Sequence, residues 1–463
     1  MTGKNPRQIA AYVLAQRRRA ANPRVPADAI PLSPSEGERA GVRGPSQFTE
    51  ALLDQALANS KLSQPDRRLC HELVLGVVRW QAALDWLVAR KAPGRTQKPG
   101  LQDLLRLGLY QIFCLDRIPG HAAVHETVEQ AKQGGFEPQA GFVNAVLRGY
   151  LREFDATKKL LVELKSTQPA IGWSHPEWLV ARWQSRWGVA KTQALLVWNN
   201  TPSKTFARLN TLRTDAGKLI EKWRAENVDY DFVTTDWIDE SLMFELKSHP
   251  PLAMLESFQQ GWFYVQDPST LLAVRELNPQ PGEAILDLCA APGGKTTFIA
   301  QLLRNEVRIV AQDLSAERLK LLQDNCTRLG VTCVEVRSPI GTVQGPESRV
   351  QSPKTQFDKV LVDAPCSNTG VMRRRVDLRW RIRPEEIERL RLAQLDLLRQ
   401  AAPALRPGGK LVYSTCSLEP EENAGVIELF LNEHSQFRLE RERELTPFAD
   451  NVDGAYVCLL TRI

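Results

Sequence analysis

From about residue 257 to the C-terminus, short apolar segments recur and each leads into a stretch with helical periodicity. EAILDL precedes a glycine loop and a helix, RIVAQD precedes SAERLKLLQDNCTRLG, and TCVEVR follows. KVLVDAPC then leads to PEEIERLRLAQLDLLRQAAPAL, and KLVYSTC closes the series. Near-continuous apolar strands separated by amphipathic helices imply a parallel sheet covered on both faces, because each crossover lays a helix over it. Residues 257–463 are therefore expected to form a doubly wound α/β domain of Rossmann-like type.

A chain of 463 residues exceeds one ordinary core, so further domains are expected. Residues 1–155 place apolar residues at three- and four-residue intervals in QFTEALLDQALA, DRRLCHELVLGVVRWQAALDWLVA and LQDLLRLGLYQIFCL. That pattern predicts an all-helical domain. Residues 22–46 interrupt it with Pro, Gly, Ser and charge and read as a mobile loop. Residues 156–256 begin with the tryptophan-rich PEWLVARWQSRWG and continue with FARLN, a helix from Asp215, VDYDFV and MFELK, which suggests a small α+β module. Trp173, Trp178, Trp183 and Trp187 stand at the spacing of a helix core, with base stacking as the alternative.

The longest apolar runs fall far short of the ~18 residues a membrane span needs. No signal-peptide pattern precedes the early arginines, so a cytoplasmic protein is expected. Eight cysteines occur with no C-x-x-C pair and no histidine at zinc spacing, which argues against a disulfide framework and predicts no metal. The net charge is only +6, but Arg17, Arg18 and Arg19 cluster early. Arg373, Arg374, Arg375, Arg379, Arg381 and Arg383 surround Trp380. Such a cluster suits a polyanion with stackable bases; a solvated face paired with Glu385, Glu386 and Glu388 is the other reading.

LCAAPGGKTT, residues 288–297, lies where a nucleotide loop belongs. A P-loop would need glycine where Cys289 stands, and the adjacent Gly293 and Gly294 do not fit the dinucleotide pattern. The context still suits a nucleoside, since a strand ends there, a helix follows near Thr296, and the next strand ends in Asp313, where a ribose-binding carboxylate belongs. Asp287, Asp313 and Asp363 would line one crevice, favourable to the cationic sulfonium of S-adenosylmethionine. Cys366 and Cys416 lie at the same edge, and a thiol there faces whatever approaches the methyl donor.

LDLCAAPGGKTT, LVDAPCSNTGVMRRRVDLRW and LVYSTCSLEPEEN resemble three motifs of the RNA cytosine-5 methyltransferases, in particular the RsmB (Fmu/Sun) branch that modifies small-subunit ribosomal RNA. FQQGWFYVQDPSTLLAV resembles the segment before the first motif. LRLGLYQIFCLDRIPGHAAVHETVEQAK and FVNAVLRGYL resemble the NusB-like RNA-binding domain of that branch. The resemblance implies methyl transfer from S-adenosylmethionine to carbon 5 of a cytosine in 16S ribosomal RNA through a covalent cysteine adduct. It further implies Cys416 as nucleophile, Asp363 hydrogen-bonded to the base, and Cys366 assisting loss of the carbon-5 proton or release of the enzyme. Cys289, Ala290, Ala291, Pro292, Gly293, Gly294 and Lys295 would cradle the cofactor, with Asp363 beside it and Asp313 on the ribose. The partner is ribosomal RNA, free or partly assembled, and a monomer is expected. The acidic residue that such proteins carry after the third strand to contact adenine is absent here, where Ser338 and Pro339 stand. Two alternatives remain open: Cys366 as the attacking sulfur, as in DNA cytosine methyltransferases, or an RNA-binding ribosome-assembly factor with a vestigial catalytic domain.

Overall fold

The computed structural model describes residues 5–20, 49–338 and 356–463. The expected loop over 22–46 lies outside these residues, as does the stretch after Ser338 on which a differently built adenine side would depend. The chain divides into two compact units. Of the described residues, one takes in the N-terminal helix Pro6–Ala20, residues 49–201 and Met372–Arg381; the other takes in residues 202–338, 356–371 and Ile382–Ile463.

The first unit is helical, as the periodicity predicts. Helices Gln64–Arg79, Pro99–Cys114, Gly120–Ala131 and Ala140–Arg152 bury one shared core that includes Leu73, Val77, Leu105, Leu109, Val143 and Leu147. The compact helical unit also takes in residues 156–201, including the tryptophan-rich segment. That segment is helix Glu177–Asn200, interrupted at Gly188, and its Trp183 is buried.

Two members of the arginine cluster, Arg373 and Arg379, are buried, whereas Arg374, Arg375 and Arg381 are half-buried and Arg383 is exposed. Residues 372–381 belong to the helical unit, and Arg379 is fully buried there. Its guanidinium donates to the carbonyls of Arg79, Ser174 and Asn199 and to Asn200 Oδ1 at 2.8–3.3 Å. Burial lowers its pKa to about 9. Trp380 Nε1 donates to Val78 O at 2.7 Å, Arg373 stacks on Trp198, and Asp377 accepts from Thr49 Oγ1 at 3.0 Å. These residues act as a plug in a helical core. Glu386 and Glu388 pair with Arg389 and Arg391 on their own helix instead. At the N-terminus, Arg18 is bound to Asp103, and Arg17 donates to Gln81 at 3.0 Å.

The second unit holds two sheets. β1 (Thr205–Leu209), β2 (Asp229–Phe232), β3 (Met243–Ser248) and β4 (Phe263–Val265) form an antiparallel sheet in the order β2-β3-β1-β4. Helix Ala216–Ala225 packs on it through Leu219 and Trp223.

The larger sheet contains β5 (Ala284–Leu288), β6 (Arg308–Gln312), β7 (Val334–Arg337), β8 (Phe357–Asp363), β9 (Leu405–Thr415), β10 (Phe437–Leu445) and β11 (Ala455–Arg462), in the order β10-β11-β9-β8-β5-β6-β7. Strands β5 to β9 are parallel. Ile285, Ile309, Leu361 and Val412 enter one buried cluster, while Leu286, Val310, Val360, Val362 and Leu411 enter the other, which is why these strands read as continuous apolar runs. The sheet is mixed rather than wholly parallel, because β11 runs antiparallel between β9 and β10. FRLEREREL escaped the apolar-run criterion because β10 is an edge strand whose charged side chains stay largely solvated.

At the end of β5 the chain turns sharply. Cys289 has φ 62° and Gly293 φ 102°, a conformation that Gly adopts without strain. The helix Gly294–Leu302 follows immediately. Asp287, expected to line a crevice, is instead fully buried beneath this helix, where its Oδ2 accepts from Thr296 Oγ1 at 2.6 Å. Burial raises its pKa from 3.8 to about 7, against the hydrogen bond from Thr296.

Two stability measurements test these placements. Arg379→Ala strips four buried acceptors of their donor and should cost about 3 kcal/mol, read as a lower urea midpoint; Arg379→Lys should not restore it, because an ammonium lacks the guanidinium fork. Between 3.8 and about 7 the folded state retains on Asp287 a proton that the unfolded chain releases, so this group lowers stability as pH rises through that window. Asp287→Asn keeps the acceptor for Thr296 and cannot ionise. The variant should gain on the parent by roughly 2 kcal/mol between pH 5 and pH 8 in parallel urea titrations; a constant difference would contradict the assignment.

Candidate active site

The parallel strands bring the predicted residues to one edge. β5 and β8 run in register from Ile285↔Lys359 to Leu288↔Val362, and β8 and β9 end on Asp363↔Ser414. The turns that follow β5, β8 and β9 therefore emerge side by side, which is where open α/β sheets bind ligands.

The glycine turn is held from several sides. Ala290 N donates to Gln312 O at 2.9 Å, and Gly293 N to Ala290 O at 2.9 Å. Asn325 Nδ2 reaches Pro292 O at 3.0 Å, and Arg318 donates to Ala291 O. From β1, the fully buried Arg208 donates to Gly294 O at 2.8 Å, to Thr297 Oγ1 at 3.1 Å and to Gln266 Oε1 at 2.7 Å. Its burial lowers the guanidinium pKa to about 9. A buried cation fixed to the first helical turn was not foreseen; FARLN reads only as a strand with one charge.

Lys295 closes the turn onto the next strand, with its Nζ 2.6 Å from Asp363 Oδ2, while Asp363 Oδ1 accepts from Ser414 Oγ at 2.8 Å. The Asp363 side chain remains one-third exposed. Asp313, just beyond β6, is different. Its carboxylate is 1% exposed and is engaged by Arg318 at 3.0 Å, by Ser315 N at 3.0 Å and by Ala291 N at 3.3 Å.

A cavity of about 460 Å³ opens beside this turn, lined by Leu288, Cys289, Gln312, Asp313 and Leu314 and by one face of helix Pro384–Ala401 that includes Leu392. Its volume and its mainly apolar wall with a few polar groups suit a nucleoside. Cys289 contributes to this wall, and burial raises its thiol pKa well above the ordinary value, so it acts as a small neutral surface.

The two other cysteines meet. Cys366 Sγ and Cys416 Sγ stand 3.3 Å apart, Cys366 buried and Cys416 partly exposed. Burial, then the neighbouring Cys416, pushes the Cys366 thiol well above its ordinary value. Cys416 donates to Asn368 Oδ1 at 3.1 Å, and Asn368 Nδ2 donates to Cys366 O at 2.6 Å. Asn368 adopts φ 59°, which asparagine tolerates better than most residues. Two residues on, a Cβ at Gly370 would stand 2.6 Å from Gly454 O and 2.8 Å from Cys416 O, so only glycine lets these turns approach. Gly370 N donates to Cys416 O at 3.0 Å across the gap.

Sequence reasoning did not single out Asn368 or Glu422, although both lie inside motifs it identified. Asn368 is visible as a residue suited to a left-handed turn in S-N-T-G. Glu422 is one of three acids in L-E-P-E-E-N, and nothing in the spacing separates it from Glu419 or Glu421. Among the described residues, no helix is long and apolar enough to cross a membrane, and no group of three or more His, Cys, Asp or Glu could hold a metal.

Comparison with known proteins agrees with this architecture. Residues 274–458 match the family described as 16S rRNA methyltransferase RsmB/F, residues 41–152 the NusB family, and residues 175–248 the ferredoxin-like domain of RsmF/B-like methyltransferases. The chain is 38% identical over 397 residues to a probable ribosomal RNA small subunit methyltransferase B of Synechocystis sp., covering 85% of this chain and 87% of that one. It is 36% identical over 438 residues to its probable counterpart in Bacillus subtilis, covering 90% and 95%. Among solved structures, PH0851 superposes with a TM-score of 0.71 at 24% identity, covering 99% of both chains. A methyltransferase homolog protein from Pyrococcus horikoshii superposes with a TM-score of 0.54 at 27% identity, covering 64% of this chain and 97% of that one. With identity above one third across most of its length, and with the helical, ferredoxin-like and methyltransferase parts each matched, the chain belongs to the 16S rRNA methyltransferase RsmB/F family.

Proposed function

We propose that the protein transfers a methyl group from S-adenosylmethionine to carbon 5 of a cytosine in small-subunit ribosomal RNA, with Cys416 as a covalent nucleophile. The observation that carries this reading is the pair of sulfurs at 3.3 Å, one partly exposed and one enclosed, beside the Asp363 strand end. The cavity by the glycine turn fits the nucleoside of the cofactor, which supplies, when bound, an electrophilic methyl group on a sulfonium. Cys289 to Lys295 would form its floor. Asp313 would meet the ribose only once Arg318 yields its hold on the carboxylate.

Carbon 5 of cytosine is a weak nucleophile. Addition of the Cys416 sulfur to carbon 6 forms a sulfur–carbon bond and pushes electron density onto carbon 5, which then takes the methyl group. Loss of the carbon-5 proton and cleavage of the bond to Cys416 restore the aromatic ring. Asp363, already engaged by Lys295 and Ser414, presents carboxylate oxygens as acceptors, which suits the exocyclic amine of the base. Cys366, whose enclosed sulfur favours the thiol form, suits the proton handling needed for release rather than the attack. The target base has to leave its stack to reach these sulfurs, so a loop or a partly assembled RNA is the expected substrate.

Cys416→Ala should abolish methyl transfer to protein-free small-subunit RNA and form no covalent complex. Cys366→Ala should instead accumulate an RNA adduct that survives denaturing electrophoresis. If Cys416→Ala forms the adduct and Cys366→Ala does not, the roles are reversed. Tritium release from RNA labelled at cytosine carbon 5 should track methyl incorporation one for one, and methylation without release would place the product elsewhere on the base.

A further inference from the structure

The turn after β9 carries a fully buried carboxylate whose partners all come from around the two cysteines. Glu422 Oε1 accepts from Ser367 N at 2.8 Å and from Gln394 Nε2 at 3.0 Å. Its Oε2 accepts from Ser417 Oγ at 2.5 Å and from Ser367 Oγ. Ser367 follows Cys366 and Ser417 follows Cys416, and the two hydroxyls are themselves 3.0 Å apart. Gln394 also donates to Pro365 O at 2.9 Å, on the other side of Cys366, and Tyr413 OH donates to Glu422 O at 2.6 Å.

We propose that Glu422 is a positioning residue for the methyl-transfer reaction: one carboxylate clamps the Pro365-Cys366-Ser367 and Cys416-Ser417 turns together and so sets the separation of the two sulfurs. The inference rests on the two-cysteine reading above. Burying a carboxylate carries a desolvation penalty that its hydrogen bonds must offset, and an apolar contact would join two loops without it. A carboxylate alone offers four acceptor sites in one plane, and here three are filled by donors from the two turns it joins and the fourth by Gln394 of helix Pro384–Ala401. The effect of burial is visible in Glu422 itself, whose pKa rises to about 7 against those four donors.

Glutamine can occupy the same place. Its oxygen would accept from Ser367 N and Gln394, while its amide would donate to the two serine hydroxyls, which can reverse their roles. Alanine can do neither.

The test measures steady-state methyl transfer with the full-length protein and small-subunit RNA. For Glu422→Ala, kcat should fall about 100-fold while KM for cofactor and RNA stays within about threefold, the signature of misplaced reacting groups. Glu422→Gln should recover to within about fivefold of the parent, because the hydrogen-bond geometry is restored. A Glu422→Ala protein with kcat within threefold of the parent, or a Glu422→Gln protein as slow as Glu422→Ala, overturns the proposal. Should Glu422→Ala not fold, the Ser367→Ala/Ser417→Ala double variant leaves the carboxylate with two N–H donors, and its kcat should fall about tenfold, with an unchanged kcat counting against the clamp. Cys416→Ala in the same assay separates the two readings: its activity would sink the covalent reading, whereas an inactive Cys416→Ala beside an unimpaired Glu422→Ala sinks only the clamp.

Discussion

The parallel register of β5, β8 and β9 is the constraint on which the candidate site depends. Asp363 pairs with Ser414 at the last rung of β8 and β9, and Leu288 with Val362 at the last rung of β5 and β8. Three turns consequently leave the sheet at one level. A slip by one residue would exchange the two faces of a strand, putting Val362 and Asp363 on the wrong sides, and the buried clusters on both faces forbid it. The site is therefore fixed by core packing that has no chemical role of its own. Placement of Cys366 and Cys416 follows from where their strands stop.

Around that edge the protein spends buried charge rather than apolar surface. Asp287 supports the first turn of helix Gly294–Leu302 from below, Arg208 holds its carbonyl and hydroxyl groups from the side, and Glu422 joins the cysteine turns. Each of these groups has its pKa shifted toward neutrality by burial. Hydrogen bonds are directional where hydrophobic contacts are not, so they fix a loop to a fraction of an ångström that packing alone leaves free. Arg379 in the helical unit serves the same purpose without any connection to chemistry, since it gathers three carbonyls and an amide oxygen from separate segments.

Periodicity alone revealed the helical unit, the alternating strands and helices, and the edge on which Asp363, Cys366 and Cys416 lie. What it missed has definite causes. Strand β10 has the charged composition of a solvated edge and does not resemble the buried strands. The buried Arg373 and Arg379 were not told apart from the other arginines of the run because a sequence shows charge but not the groups that can receive it. The compact helical unit takes in residues up to Thr201, while the NusB match ends at residue 152, near the expected boundary at 155, and the ferredoxin-like match begins at residue 175. Asp287 was grouped with Asp313 and Asp363 because all three lie at strand ends, yet the register sets it opposite Ala311 and Leu361, two residues short of the other two, so it stays inside the sheet and is buried. The roles of Asn368 and Glu422 depend on the meeting of turns about fifty residues apart in sequence, and no local pattern records that.

Two thiols in contact would ordinarily be interchangeable, and a nucleophile beside an equivalent partner gains nothing from it. Here the surroundings break the equivalence. Cys366 is enclosed by the turn that Glu422 and Gln394 bind, and the nearby carboxylate adds to the cost of any charge on its sulfur. Cys416 is partly open, and its thiol donates to Asn368 Oδ1. Burial thus favours a retained proton on Cys366, while Cys416 is the sulfur left open to a ligand. The proposed reaction, which needs an open sulfur and a nearby proton carrier, can then use two copies of the same side chain, distinguished only by what encloses them.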